Sequence, residues 1–364
     1  MKIALIGLAN SGKTTLFNAI TGMTIETQTY PTVIEKPHIA VVKVPDERLY
    51  KIADIFKPKK TTPATIEYLD YIGLTKGDIE QNKKVFELIK NVDAVVYVIR
   101  LFEDDSIIHP FGEINPVSDL ETIELELIFA DLELVEKRLD RINLNIKQGK
   151  KINESEMNLM ITLKEYLNNE ISLKDISLDE KQLLEIRHLQ FLSLKPYIIV
   201  LNISEKDLKS SKLSDYKNSI YNYLNKKNRR QIPIMTICCK LEMEISQLEQ
   251  QDAMQFLQDL GIDKPASHKL IQECFNMMNL ITFFTYAGDE VKAWAIKKGT
   301  PAIEAAGKIH SDIERGFIKV EVISFEDFIK DGNIHNLRAK GLIHLEGKNY
   351  IIKDGDIVHF RFNV

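Results

Sequence analysis

The chain has 364 residues, 44% hydrophobic and 28% charged, with a formal net charge of −5 at pH 7; this is a globular composition with room for roughly two or three domains. No apolar run reaches the roughly 18–20 residues that span a bilayer, the opening run Lys2–Ile6 is too short for a signal peptide, and three cysteines, two of them adjacent, fit neither a disulfide framework nor a zinc site. The expectation is a cytoplasmic chain in a reducing compartment, with no membrane partner and no wholesale coating of nucleic acid, although a local basic face stays open.

In chain order, Lys2–Ile6 reads as a short buried strand and Lys13–Ile20 as a helix start. Between them Gly7-Leu8-Ala9-Asn10-Ser11-Gly12-Lys13-Thr14 matches G-x-x-x-x-G-K-[ST] at every position. Gly7 and Gly12 let the backbone wrap an anion so that successive N–H groups converge on it. Lys13 brings a point charge to the β- and γ-phosphates and the Thr14 hydroxyl ligates Mg²⁺. The helix that follows turns its positive end to the same phosphates. The nucleotide-holding set is therefore Asn10, Ser11, Gly12, Lys13, Thr14 and Thr15.

Ile39–Val44, Thr65–Leu69 and Ala94–Leu101 are further strand candidates, and their alternation with helical stretches predicts an α/β domain with a largely parallel sheet. Asp70-Tyr71-Ile72-Gly73 directly follows the second of these. An aspartate at a strand end holds Mg²⁺ through water, and the Gly73 N–H meets the γ-phosphate. Alone, this spacing is also that of a strand-ending turn; behind a phosphate loop the functional reading is favoured. Leu74 stands where many Ras-like GTPases carry the glutamine that orients attacking water. Leucine cannot hydrogen-bond that water, so either hydrolysis is slow and partner-stimulated or another group positions the nucleophile.

Leu125, Ile128, Leu132, Val135, Leu139, Ile142 and Ile146 recur at alternating spacings of three and four, a coiled-coil seam. Gln148-Gly149-Lys150 can end that helix, and Met160, Leu163 and Leu167 mark one returning. The pattern predicts an antiparallel hairpin inserted into the α/β domain, its seam serving internal packing. Tyr197–Asn202 and Ile232–Cys238 then resume the strand style. Asn202-Ile203-Ser204-Glu205 ends the first of these, where a guanine-specific GTPase carries N-K-x-D. The aspartate of that motif accepts from guanine N1–H and the amino group; Glu205 is one methylene longer, and Ile203 replaces the lysine beside the base. These departures suit ATP at least as well as GTP. From about residue 281, the runs Glu290–Ile296, Gly316–Ile323 and Ile357–Phe362 predict a small mixed sheet, with twelve Lys or Arg against twelve Asp or Glu. Lys292, Lys297, Lys298, Lys308, Arg315 and Lys319 could face RNA there, with a solvated face as the plain alternative.

Several blocks together resemble the Obg-like ATPase family, called YchF in bacteria. They are Gly7–Thr15, Val44-Pro45-Asp46-Glu47-Arg48-Leu49, Lys57–Lys60 with Pro63–Glu67, Asn202–Lys206, Cys239-Lys240-Leu241-Glu242, Ala293–Thr300 and Asp354-Gly355-Asp356. The resemblance runs from end to end in the family's order. It implies an α/β P-loop GTPase-like domain over 1–120 and 190–278, an inserted helical hairpin over 121–189, and a C-terminal TGS domain of the β-grasp type over 279–364. It also implies ATP preferred to GTP, Mg²⁺-dependent hydrolysis and association with the ribosome. A monomer is expected, with RNA as a further partner through the TGS domain. Gly73, Asn202, Ile203 and Glu205 join the nucleotide-binding set, and Cys239, Lys240 and Leu241 fall where such enzymes brace the base. Asn10 matches a loop asparagine that helps hold K⁺ in related cation-dependent enzymes. His109, in Ile107-Ile108-His109, matches a loop histidine proposed to assist hydrolysis and is the catalytic candidate.

One departure stands out. The family reads Y-P-F-C-T-I-E-P where this chain has Tyr30-Pro31-Thr32-Val33-Ile34-Glu35-Lys36-Pro37. The switch threonine that would sense Mg²⁺ falls on Ile34, and Thr32 reaches that place only if the loop shifts. The leading expectation is a ribosome-associated ATPase whose nucleotide state controls docking. A slow-hydrolysing sensor or scaffold and a conventional GTPase are the alternatives.

Overall fold

The computed structural model describes residues 1–26, 37–71, 73–208, 210, 212–229 and 231–363. The switch residues Thr32, Val33 and Ile34 lie outside the described residues. In chain order the elements begin β1 (Lys2–Ile6), α1 (Lys13–Thr21), β2 (His38–Lys43), α2 (Glu47–Phe56), β3 (Lys60–Thr62), β4 (Thr65–Asp70), α3 (Ile79–Ile89), β5 (Ala94–Arg100), α4 (Pro116–Lys147) and α5 (Glu154–Asn168). They continue with α6 (Glu180–Ile186), β6 (Tyr197–Asn202), α7 (Lys212–Lys226), β7 (Ile234–Ile237), α8 (Cys239–Ser246), α9 (Gln250–Asp259), α10 (Ala266–Met277), β8 (Leu280–Ala287) and β9 (Glu290–Lys297). The last are α11 (Ala302–Ile309), α12 (Ser311–Arg315), β10 (Phe317–Ile323), α13 (Phe325–Asp331), α14 (Ile334–Ala339), β11 (His344–Glu346) and β12 (Ile357–Phe362). Among the described residues no helix is long and apolar enough to cross a membrane.

Contacts divide the chain into two units, Met1–Ala40 with Glu67–Ser267 and Val41–Ile66 with His268–Val364. The stretch 41–66, expected within the nucleotide-binding part, thus groups with the C-terminal segment. Strand pairing is the reason: β3 runs parallel to β9, with Lys60 beside Glu290 and Thr62 beside Lys292.

The sheet of the first unit has the order β2-β4-β1-β5-β6-β7. β1 pairs in parallel with β4 and β5, and β5, β6 and β7 continue in parallel. Every residue of β5 and β6 is buried, which explains their continuous apolar runs: a parallel sheet is covered on both faces. The chain moves to β4 on one side of β1 and to β5 on the other, so the crevice at the carboxyl end of β1 is a topological switch point.

The predicted hairpin is present. α4 is a 32-residue helix, about 48 Å long at 1.5 Å per residue. Asn115 caps it by accepting from the Ser118 N–H, Pro116 opens its first turn, and Gly149 at φ 69° turns the chain beyond it. Ile128, Val135 and Ile142 of the expected seam are buried against Leu159, Met160, Leu163 and Leu167 of α5. Each such side chain contributes about 1.5–3 kcal/mol. The seam departs from expectation at both ends. Towards the sheet, Leu120, Ile123 and Leu127 take over from Leu125 and join the core around the sheet. At the far end Ile146 is 45% exposed, because α5 begins only at Glu154 and offers nothing opposite it.

In the second unit the sheet order is β11-β10-β12-β8-β9-β3, mixed in direction. Two of the sequence blocks meet there. Arg48 sits between the carboxylate of Asp46, which caps α2, and that of Asp354 at 2.7 Å, while Asp354 also accepts from the Thr282 N–H at 2.9 Å. Phe56 stacks on both Tyr286 and Phe328, with ring centroids 4.8 Å apart in each case.

Candidate phosphate-binding site

The loop from Gly7 to Gly12 leaves β1 and enters α1 at the switch point. Gly12 takes the left-handed conformation at φ 92°, where an L side chain is strained. A Cβ there would also collide with the Asn202 amide, and one at Gly7 with the Val98 carbonyl. α1 has no side-chain cap and no acidic residue in its first turn, whereas α2, α3, α4 and α5 are capped by Asp46, Asp78, Asn115 and Asn153. Its leading N–H groups are therefore left for an anion. The Ser11 hydroxyl is buried with no partner among the described residues.

Lys13 lies inside this loop, 6% exposed, and its Nζ donates to the Leu8 carbonyl at 2.8 Å. Burial lowers its ammonium to about 8, against the raising pull of Asp70. A buried cation held by one carbonyl is under-neutralised, and a polyphosphate would correct that.

Asp70, at the end of β4, accepts from the Thr14 hydroxyl at 2.8 Å through Oδ2, while Oδ1 is buried without a partner among the described residues. Burial pushes its carboxyl above the ordinary range, opposed by the Thr14 hydrogen bond and by Lys13. His38 of β2 stands 3.8 Å from the same carboxylate, a neighbour for which the sequence carries no signal. A carboxylate with a spare oxygen beside a hydroxyl is a hard-oxygen donor set and fits Mg²⁺ shared with phosphates and water. Among the described residues no group of three or more His, Cys, Asp or Glu could hold a metal by itself.

The base-reading segment divides into separate roles. Asn202 is buried, donating to the Ser11 carbonyl at 3.0 Å and accepting from the Cys239 N–H at 3.2 Å. It thereby ties the phosphate loop to the start of α8. Ile203 packs in the hydrophobic core at 3% exposure, and Cys239 and Leu241 are buried too. Glu205 and Lys240 are exposed, and Thr15 is half-buried. Asn202→Ala would leave one carbonyl and one N–H without partners, at about 1–3 kcal/mol each. The expected result is a lower urea midpoint together with weaker nucleotide binding; unchanged nucleotide affinity would show that the tie does not shape the loop.

Gly73 and Leu74 are sewn to the phosphate loop. The Leu74 N–H donates to Gly7 O at 2.9 Å, Ala9 N–H donates to Leu74 O at 3.2 Å, and Gln81 Nε2 holds Gly73 O at 2.9 Å. A Cβ at Gly73 would fall 2.6 Å from the Ala9 nitrogen. The Leu74 side chain is fully buried in the core, so it packs rather than facing water.

His109 is also buried. Its Nε2 lies 3.2 Å from Asp119 on α4, and its Nδ1 accepts from the Phe111 N–H at 3.2 Å. Both ring nitrogens are thus engaged away from the phosphate loop. The neighbouring Ile108 carbonyl, not the imidazole, meets the loop, accepting from the Asn10 amide at 3.2 Å. Arg100, at the end of β5, organises this connection. It donates to the carbonyls of Phe102, Asp104 and Ile107 at 3.1, 3.4 and 2.9 Å. Burial lowers its pKa from the ordinary guanidinium value. Neither Arg100 nor Gln81 belongs to a motif; a charged residue closing an apolar strand run was the one available hint.

Residues 2–129 match a family described as 50S ribosome-binding GTPase, and residues 280–363 match the YchF-GTPase C-terminal family, described as a protein of unknown function. The ribosome-binding ATPase YchF of Bacillus subtilis is 39% identical over 99% of this chain and 98% of its own length. The protein of the same name from Escherichia coli O157:H7 is 36% identical over 100% and 99%. Among solved structures, the Schizosaccharomyces pombe YchF GTPase superposes with a TM-score of 0.82 at 29% identity, covering 99% of this chain and 97% of that one.

Proposed function

Because this chain belongs to the YchF family, we propose that it is a Mg²⁺-dependent ATPase that prefers ATP to GTP and docks on ribosomes according to its nucleotide state. The observation that carries the reading is the phosphate cradle, with Lys13 buried inside it and the Thr14–Asp70 pair beside it. Bound Mg²⁺ would neutralise phosphate charge; Thr14 and Asp70 would hold it, Lys13 would hold the β- and γ-phosphates, and Gly73 would offer its N–H. The preference for ATP rests on Glu205, which is longer than the aspartate of N-K-x-D and lies exposed. The bacterial relatives are called ATPases and the fission-yeast one a GTPase, so direct titration is decisive. The 1–120/190–278, 121–189 and 279–364 division carries this function as nucleotide domain, hairpin and RNA-facing TGS domain, with 41–66 joining the last by its contacts. A cytoplasmic monomer that uses K⁺ near Asn10 completes the proposal.

Leu74 is buried and both nitrogens of His109 are engaged, which supports low intrinsic turnover with a partner needed to release a water-orienting group. The same observation favours a second reading, a nucleotide sensor that hardly hydrolyses. One series of measurements separates them: ATP and GTP affinities, turnover in K⁺ and in Na⁺, and turnover with and without purified ribosomes. The expected outcome is tighter ATP binding, faster turnover in K⁺, and stimulation by ribosomes. GTP binding a hundredfold tighter would overturn the base assignment, and equal rates in the two salts would remove K⁺. Nucleotide-dependent ribosome binding without stimulated turnover would leave the sensor.

A further inference from the structure

The segment after Gly73 is tied to α4 as well as to the phosphate loop. Thr75 to Asp78 form a tight turn, closed by the Asp78 N–H on the Thr75 carbonyl at 3.2 Å, with Gly77 at φ 75° in its third position. That left-handed residue donates its N–H to Glu126 Oε1 of α4 at 3.1 Å. Asn82 of α3, only 1% exposed, grips the same turn. Its Oδ1 accepts from the Thr75 N–H at 3.1 Å, and its Nδ2 donates to the Thr75 carbonyl and to Glu126 Oε2, each at 2.7 Å. Only this orientation of the amide fits, because a flipped one would set its oxygen against two acceptors. Both oxygens of Glu126 are thus taken up by the turn and by the residue that holds it. Lys83 of α3 and Lys137 of α4 pair with Glu133 instead, at 2.9 and 2.6 Å. Glu126 also stands where α4 changes surroundings: Leu120, Ile123 and Leu127 pack in the core around the sheet, whereas Ile128 and Val135 begin the hairpin core.

We propose that Glu126 is a positioning residue for the γ-phosphate: through Asn82 and the turn it sets where Gly73 presents its N–H, and it couples γ-phosphate binding to α4. This rests on the nucleotide reading above, in which Gly73 meets that phosphate. The connection is short at every step. Gln81, next to Asn82, holds the Gly73 carbonyl at 2.9 Å and the Thr75 hydroxyl at 3.3 Å, so Gly73 and the turn hang from the same end of α3. Leu74, between them, is bonded to Gly7 and Ala9, so a shift of the turn is felt at the phosphate loop. A carboxylate accepting N–H groups makes the stronger, charge-assisted kind of hydrogen bond. Glutamine at 126 is nearly isosteric but offers one acceptor to two donors, so its own amide would face either the Gly77 N–H or Asn82. Coupling between binding sites is reciprocal. A partner seated on the hairpin therefore changes the affinity for the γ-phosphate by the factor with which the γ-phosphate changes its own.

The test uses the full chain and compares Glu126→Gln with Glu133→Gln. Each removes one negative charge from a side chain that reaches from α4 to α3, but Glu133 meets lysines rather than the turn. Affinities for ADP and for the non-hydrolysable analogue AMP-PNP are measured with Mg²⁺, alongside thermal melting. Glu126→Gln should weaken AMP-PNP by about tenfold, within the range for coupled sites, and ADP by less than about twofold. Glu133→Gln should match wild type for both. Adding Asn82→Asp to Glu126→Gln exchanges amide and carboxylate, and part of the AMP-PNP affinity should return as the bond between 82 and 126 re-forms. Hydrogen exchange reads the far side of the coupling: residues 120–135 of wild type should exchange more slowly with AMP-PNP than with ADP, and Glu126→Gln should abolish the difference. Equal losses for ADP and AMP-PNP, or equal losses in the two single variants, overturn the proposal. So does wild-type exchange in 73–77 and 120–135 that is the same with either nucleotide, a result that holds even where Glu126→Gln melts early. If wild type binds both nucleotides and Glu126→Gln changes neither affinity, the coupling falls and the nucleotide reading stands. If wild type binds neither, the nucleotide reading falls and the coupling with it.

Discussion

Lys13→Ala is expected to lower ATP hydrolysis by roughly 10²–10³-fold, the scale for removing one group aimed at developing charge, and to weaken ATP and GTP binding together. Lys13 is the cation inside the loop, buried and hydrogen-bonded to the Leu8 carbonyl, so exposed lysines nearby cannot replace it. Because the contact is with phosphate, the loss cannot depend on the base. The protein should remain folded, since deleting a buried cation also removes its desolvation penalty. Lys13→Arg should not rescue, because a guanidinium needs more room and a different hydrogen-bond geometry than the loop provides. Calorimetric titration with both nucleotides and steady-state turnover would check this. A variant that keeps wild-type affinity for either one would remove the loop from the nucleotide site.

The largest stability effect is expected away from the nucleotide, at Arg229. Its guanidinium bonds Glu124 of α4, both oxygens of Asp175 at 2.5 and 2.6 Å, and the Tyr197 hydroxyl at 3.0 Å. Glu124 also accepts from Tyr223 at 2.8 Å and Lys227 at 2.9 Å. Burial works against the charge on Arg229, yet the hydrogen bonds to Asp175 and the carboxylate of Glu124 hold its pKa further above the ordinary guanidinium value. Arg229→Met leaves carboxylates buried and under-neutralised and should destabilise the first unit by about 3–5 kcal/mol. Adding Glu124→Gln should restore part of the loss, since the second change removes a charge that the first left exposed to repulsion. Urea denaturation of both variants measures this. Hydrogen exchange should find the protection loss concentrated at the base of α4 and around β6, where the partners lie. A change below 1 kcal/mol would mean that water replaces Arg229 without difficulty.

Much of the local structure was legible beforehand. The observed limits of β1, β6 and β12 coincide with the predicted runs, and the seam of α4 was visible in its three-four spacing. The phosphate loop was readable because its steric demands are local: Gly12 must adopt φ 92°, and one carbon more would strike Asn202. Other readings were incomplete for a common reason. The sequence shows what Leu74 lacks, a hydrogen-bonding group, but not that backbone bonds to Gly7 and Ala9 set its position. The resemblance marks His109 as a loop histidine but does not show that its ring is claimed by Asp119 and by the Phe111 N–H. Comparison with N-K-x-D sets Asn202 beside the base but does not show that its amide also braces strand, loop and helix.

The sequence by itself therefore determined the limits of several strands, that a phosphate loop lies between β1 and α1, and that a hairpin interrupts the α/β pattern. Periodicity, capping and glycine conformation are properties of neighbouring residues, and they are written into short stretches of chain. Only the tertiary structure decided which polar groups find partners. Arg48 meets Asp354 across 306 positions, Asn202 meets Ser11 across 191, and residues 41–66 join the C-terminal unit through the pairing of β3 with β9. A buried donor or acceptor must be satisfied by whatever the fold brings within about 3 Å, and separation along the chain does not encode that distance.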